Sequence, residues 1–279
     1  MYTEFYGLRE RPFSLLPDPD FLFWSHRHRS AATILEYGIV TRAPITVLTG
    51  EIGVGKTTLL QFMLRELPED TTVGLISNAQ GGRGELLRWV TNALDIAPDT
   101  SLDYVARYQA LQDFLVDEYS AGRRVTLIID EAQNLSVEAL EELRMMTNIN
   151  AGKDELLQLI LVGQPELRAK ILRPELQQFA QRVVGAYHLG TLAPDVAADY
   201  VRHRLRQAGG TGAELGDDAL EVIAREAGGV PRLLNKLADF SLVYGAIAEE
   251  RPIGADTVRQ VLGDGVYITG FGPTEEAAE

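Results

Sequence analysis

No cysteine occurs anywhere in the 279 residues. That excludes a disulfide framework and any thiolate metal site, and it suits a reducing compartment. Histidine is nearly as scarce. His26, His28, His188 and His203 are the only four, and none has the paired spacing of metal ligands, so no zinc centre is expected. No apolar run approaches the roughly 18–20 residues of a membrane span. The N-terminus, MYTEFYGLRERPF, is charged from Glu4 onward and lacks the apolar core of a secretory signal. Basic residues are outnumbered: 26 Lys and Arg against 40 Asp and Glu leave a net charge of -14. Such a balance favours solubility and argues against a uniformly basic nucleic-acid surface. There is no internal repeat, and no Ser-His-Asp or Cys-His arrangement stands out. What is present, 46% hydrophobic and 24% charged residues, is ordinary for a soluble globular chain of one large or two modest domains.

One stretch organises the rest. Ile45, Val47 and Leu48 read as a buried strand that stops at Gly50. From there the sequence fits G-x-x-x-x-G-K-[ST], with Gly50, Gly55, Lys56 and Thr57 in the fixed places, and helical spacing follows. Glycines allow the tight turn that points successive N–H groups at phosphate oxygens. The helix N-terminus adds partial positive charge, Lys56 reaches the β- and γ-phosphates, and Thr57 offers a hydroxyl to Mg²⁺. The predicted nucleotide-binding set is Gly50, Glu51, Ile52, Gly53, Val54, Gly55, Lys56, Thr57 and Thr58, and the implied ligand is a nucleoside triphosphate.

A second constellation lies at Leu127-Ile128-Ile129-Asp130-Glu131, an apolar strand with two acids at its carboxyl end. Open α/β sheets bind ligands at that end. Asp130 would join Thr57 in holding Mg²⁺, and Glu131 would take the proton of an attacking water.

Strands are expected at Ile45–Thr49, Thr72–Ser77, Val125–Ile129, Leu156–Val162 and Val183–Leu189, alternating with helices. This predicts an α/β fold with a mostly parallel five-stranded sheet covered by helices on both sides. After Leu192 only helices are predicted, at 194–208, 217–226, 231–248 and 255–262. The expected domains are an aromatic and proline-rich arm over 1–28 lying on the nucleotide-binding core, that α/β core over 29–192, a helical lid over 193–263 and an acidic tail over 264–279. Arginines at 202, 204 and 206, like Arg27-His28-Arg29 and Arg123-Arg124, read as exposed helix or turn faces rather than a nucleic-acid patch.

Five segments together resemble the AAA+ ATPases of the ExeA type (general secretion pathway protein A). They are FYGLRERPFSLLPDPDFLF at Phe5–Phe23, GEIGVGKTT at Gly50–Thr58, DEAQNL at Asp130–Leu135, LVGQPEL at Leu161–Leu167 and GGVPRLLN at Gly228–Asn235. The ATPases of bacterial transposition modules, the TnsC and TniB type, carry related sets. The resemblance implies a P-loop NTPase of the AAA+ class that binds and hydrolyses ATP with Mg²⁺. It would couple this to assembly or remodelling of a secretion or cell-envelope complex; the alternative is an ATP-dependent, DNA-binding regulator of transposition. It further implies a homo-oligomer, as a ring or nucleotide-dependent assembly, that is cytoplasmic or peripheral to the inner membrane through a partner.

Residue roles follow by the same resemblance. Gln164 matches a sensor of the γ-phosphate, or is a loop amide capping the turn at Pro165. Asn78 matches a residue restraining the catalytic glutamate, or is a strand-end turn asparagine. Arg232 matches a second sensor that joins the nucleotide's phosphates to lid movement. Arg182 matches an arginine finger acting on a neighbouring subunit, with Arg173 as its competitor. Phe5, Leu8, Pro12 and Phe13 could form the apolar slot for adenine.

Overall fold

The structure, a computed structural model, describes residues 2–77, 85–96 and 103–268. The chain opens with a short helix, α1 (Tyr2–Tyr6), a proline-rich stretch with one 3-10 turn at Pro19–Phe21, and α2 (His26–Val40). Prolines 12, 17 and 19 lack the amide hydrogen a helical ladder needs, so no long helix forms there. Next come β1 (Ile45–Gly50), α3 (Lys56–Arg65), β2 (Thr71–Ser77), α4 (Glu85–Ala93), α5 (Tyr104–Ser120) and β3 (Arg124–Asp130). A 3-10 turn at Ala132–Asn134 leads to α6 (Val137–Met146) and a small antiparallel hairpin, β4 (Asn150–Ala151) with β5 (Asp154–Glu155). β6 (Leu157–Gly163), α7 (Pro165–Ile171), α8 (Gln177–Ala180) and β7 (Val183–Leu189) follow. The chain then turns helical, with α9 (Pro194–Gln207), α10 (Asp217–Glu226), α11 (Pro231–Ile247) and α12 (Ala255–Gly263). Among the described residues no helix is long and apolar enough to cross a membrane.

The five-stranded sheet has the order β2-β3-β6-β1-β7, and every neighbouring pair is parallel, as the alternation of strands and helices predicts. Central strands β1 and β6 are buried along their whole length, and β3 is buried from Val125 on. That is why they read as unbroken apolar runs rather than alternating ones. Helices flank the sheet, with α2 against β1 and β7, and α4 and α5 against β2 and β3. Because the strands run the same way, Gly50, Asp130 and Gly163 all finish at one edge.

The chain packs as two compact units, one of Met1–Ser25, Gly53–Gln61 and Gly190–Glu279, the other of His26–Ile52 and Phe62–Leu189. In the second, the sheet and its helices enclose a core that includes Leu127, Leu143, Leu161 and Phe179. In the first, the arm's Tyr2, Tyr6, Leu8, Phe13 and Phe21 share a core with Leu205, Leu220, Leu234 and Leu242 of the C-terminal helices.

The arm packs with the C-terminal helices in one unit. Its aromatic residues complete the interior of a small helical unit, where fully burying a side chain such as Phe13 contributes about 1.5–3 kcal/mol. Polar bonds fix its backbone: Arg9 donates its N–H to the Ala208 carbonyl at 2.7 Å, and the Arg204 Nε donates to the Pro12 carbonyl at 2.6 Å. Arg204 also lies over the Phe21 ring at 4.7 Å, so it is buried beneath the arm and not on an open helix face. The arm ends where α2 begins, at His26.

Candidate functional site

The glycine loop leaves the sheet at Gly50, the last residue of β1. Glu51 and Ile52 are exposed, while Val54 is wholly buried and anchors the loop. Gly53 and Gly55 have φ of 81° and 102°, the left-handed region in which a side chain is strained. Lys56 and Thr57 open α3, Lys56 buried and Thr57 half-buried, with Thr58 beside them in the first turn. This is the turn-then-helix arrangement that aims N–H groups at an anion.

Arg232 is the second residue of α11, after Pro231 at the first helical position, where a missing N–H costs nothing. Its backbone N–H donates to the Gly53 carbonyl at 3.1 Å. A Cβ on Gly53 would stand 2.6 Å from the Arg232 Cβ, so glycine is required there twice over, by φ and by space. Of the predicted nucleotide-site residues, Arg232 and Gly53 are therefore brought into contact.

At the carboxyl edge of the sheet, Asp130 closes β3 and is nearly buried, its Oδ1 accepting from the Glu131 N–H at 2.9 Å. Glu131 has φ 55° and ψ 35°, a left-handed conformation that costs a non-glycine residue roughly 1–2 kcal/mol. Its Oε2 accepts two side-chain amides, from Gln133 Nε2 at 2.6 Å and from Gln164 Nε2 at 3.4 Å. Gln133 Oε1 in turn accepts the Gln164 backbone N–H at 3.0 Å. Lys170 of α7 donates to the Gln133 carbonyl at 2.6 Å and to that of Leu135, which pins the 3-10 turn. Burial, and then the nearby Arg173 charge, hold the Lys170 ammonium below the usual lysine range.

Gln164 occupies the N-cap of α7 without capping it; its side chain serves Glu131 instead. Gln133 is the residue sequence reasoning left without a role, although it sits inside the quoted DEAQ segment. Its signal was an amide two positions beyond the acid, a spacing that gains meaning only once the turn is known. Asn78 lies outside the described residues.

The two candidate fingers are placed differently. Arg182 donates to the Thr147 carbonyl and hydroxyl, both at 3.1 Å, and to Asn148 Oδ1, and lies 3.5 Å from Glu155. Thr147 is the C-cap of α6, so this guanidinium satisfies a helix end within its own chain. Arg173 is exposed, and its side chain makes no hydrogen bond or ion pair among the described residues. Leu8 and Phe13 are buried in the core of the helical unit, with Phe5 packed against it, which leaves these arm residues engaged by protein.

The chemistry of the donors fits a magnesium nucleotide. Glycines at positive φ allow the loop's tight turn, Lys56 carries a cation, and Thr57 and Asp130 each carry hard oxygen, the ligand type that Mg²⁺ prefers.

The parallel sheet, with a glycine loop between β1 and α3, defines the fold as that of the P-loop nucleotide-binding proteins. A model of the AAA domain matches residues 40–171, from before β1 to the end of α7. Within that class the chain is similar to the general secretion pathway protein A of Aeromonas hydrophila, as the ExeA-type resemblance implied. They are 37% identical over 243 residues, which cover 87% of this chain and 44% of that protein, so the chain spans less than half of its relative. Among solved structures, Cdc6p from Pyrobaculum aerophilum has a TM-score of 0.68 at 18% identity, covering 94% of this chain and 73% of that one. The Thermotoga maritima RuvB Holliday junction branch migration motor has a TM-score of 0.58 at 17% identity, covering 90% and 73%. These distant structures share the fold.

Proposed function

We propose that this chain binds ATP with Mg²⁺ and hydrolyses it, using the cycle to assemble or remodel a partner complex at the cell envelope. The observation that carries the hydrolytic part is the Glu131 carboxylate, set at the strand edge in a strained backbone conformation and oriented by two amides. Strain of this kind persists only where surrounding contacts enforce it.

In this reading the loop amides and Lys56 bind the phosphates, and Thr57 and Asp130 would hold Mg²⁺, which would neutralise phosphate charge. Glu131 accepts a proton as the water oxygen bonds to the γ-phosphorus and the bond from that phosphorus to the bridging oxygen breaks. ADP and phosphate leave. Gln164, hydrogen-bonded to Glu131, would report the γ-phosphate to it, and Arg232, bonded to the loop, would couple the C-terminal helices to the nucleotide as a lid. The arginine completing a neighbour's site is better supplied by Arg173 than by Arg182, because Arg182 is committed to the end of α6. The envelope role rests on the similarity to general secretion pathway protein A. In this reading the chain acts in the cytoplasm and meets the inner membrane through a partner.

The test is turnover and binding of ATP by the parent chain and Lys56→Ala, repeated with duplex DNA over a salt series. Mg²⁺-dependent turnover that Lys56→Ala loses together with nucleotide binding is expected, unchanged by DNA. Turnover that rises with DNA and falls steeply with salt would move the assignment to a DNA-dependent regulator.

A further inference from the structure

Gln133 is bonded on both ends of its amide. The orientation of that amide is fixed by its partners: the Gln164 backbone N–H can only donate, and the Glu131 carboxylate oxygen receiving the other end can only accept. Both amides reach the same oxygen, Oε2, which leaves Glu131 Oε1 without a hydrogen bond among the described residues. The close fit has a second witness. Gly163 ends β6 beside this amide, and a Cβ there would stand 2.8 Å from Gln133 Oε1. The Lys170 bonds to two carbonyls of the same turn keep the backbone of Gln133 in place.

We infer that Gln133 is a positioning residue for hydrolysis, holding Glu131 by Oε2 so that Oε1 is the oxygen presented to water, and tying that carboxylate to the Gln164 turn. This rests on Glu131 being the proton acceptor. Two carboxylate oxygens could compete for the water; occupying one of them selects the other and removes a rotation that would misdirect it.

The experiment measures kcat and KM for ATP, equilibrium binding of a fluorescent ATP analogue, and melting temperature. The proteins are the parent, Gln133→Met, Gln133→Glu, Glu131→Gln and the Gln133→Met/Glu131→Gln double variant. Met keeps the side-chain length and loses the amide. Glu keeps the side-chain shape and the acceptor for the Gln164 N–H but, ionised, cannot donate to Glu131, so it carries the test if the Met variant fails to fold. A kcat loss on the order of 10-fold or more is expected in both, with KM and nucleotide affinity within about twofold of the parent. In the Glu131→Gln background, adding Gln133→Met should change the residual single-turnover rate by less than about twofold. Parent-like or raised turnover in the Gln133 variants overturns the inference, as does an equal further loss in the double variant. Parent-like turnover in Glu131→Gln alone refutes the role of Glu131 itself, and the inference falls with it.

Discussion

The Arg232 backbone N–H donates to the Gly53 carbonyl at 3.1 Å, which joins the first turn of α11 to the phosphate loop. A motion of α11 cannot leave that loop undisturbed while the bond is kept. In the proposed cycle this is how the state of the nucleotide reaches the C-terminal helices.

Gly53→Ala should break this junction. The new Cβ meets the Arg232 Cβ at 2.6 Å and stands on a φ of 81°. A loss of roughly 1–3 kcal/mol is expected in urea unfolding, with weaker ATP binding in titration. A variant that keeps parental stability and affinity would show that the loop and α11 are not tightly coupled.

The two arginines separate by what they support. Arg182→Ala removes donors from the Thr147 carbonyl and the ion-pair partner of Glu155, whose carboxyl is already pushed up by burial. About 1–3 kcal/mol of stability should be lost, read by urea unfolding. Arg173→Ala should leave unfolding unchanged and lower turnover, and mixing it with Lys56→Ala subunits should restore part of the activity. Failure of that mixture to recover would remove Arg173 from a role in trans.

His203 gives the contact between the arm and α9 a pH dependence. Its ring faces Phe23 at 5.4 Å and hydrogen-bonds the Leu22 backbone, and its Nε2 is buried without a partner. Burial, with the Arg204 and Arg206 charges, pushes its pKa below the ordinary histidine value of 6.5. The unfolded chain therefore takes up the proton first as pH falls. Stability should be full above about 6.5, decline below it, and level off beneath the folded pKa. His203→Gln should flatten that decline in unfolding measured from pH 7 to 5. An unchanged slope would place the transition on other groups.

Much of the fold was legible because the central strands are buried on both faces. Ile45–Gly50, Val125–Asp130 and Leu157–Gly163 announce themselves as apolar runs with small or acidic residues at their ends. The β4–β5 hairpin was not, since two-residue strands leave no period to read. The arm's aromatic residues signalled burial but not against what. A sequence of Phe, Leu and Pro says that water is excluded, and only the tertiary fold says that helices α9 and α11 do the excluding. Arg204 misled for a related reason: an arginine on a charged helix looks solvated until a carbonyl such as that of Pro12 is brought to it.

At the site, the glycine loop and the Asp130-Glu131 pair stand out in the sequence because the chemistry proposed for them needs particular residues at fixed spacing. The clamp was not. Gln133 and Gln164 are far apart in sequence and meet only because β3 and β6 are neighbours in the sheet. Lys170 joins them from α7.

In the proposed cycle Glu131 takes the water's proton after Lys56 and the loop have bound ATP. Its most direct test is the identity of the nucleotide retained by Glu131→Gln after incubation with Mg²⁺ and ATP, separated by chromatography from the denatured protein. Intact ATP bound at parental affinity, with turnover lost, is the expected result. Recovery of ADP and phosphate at the parental rate would contradict it.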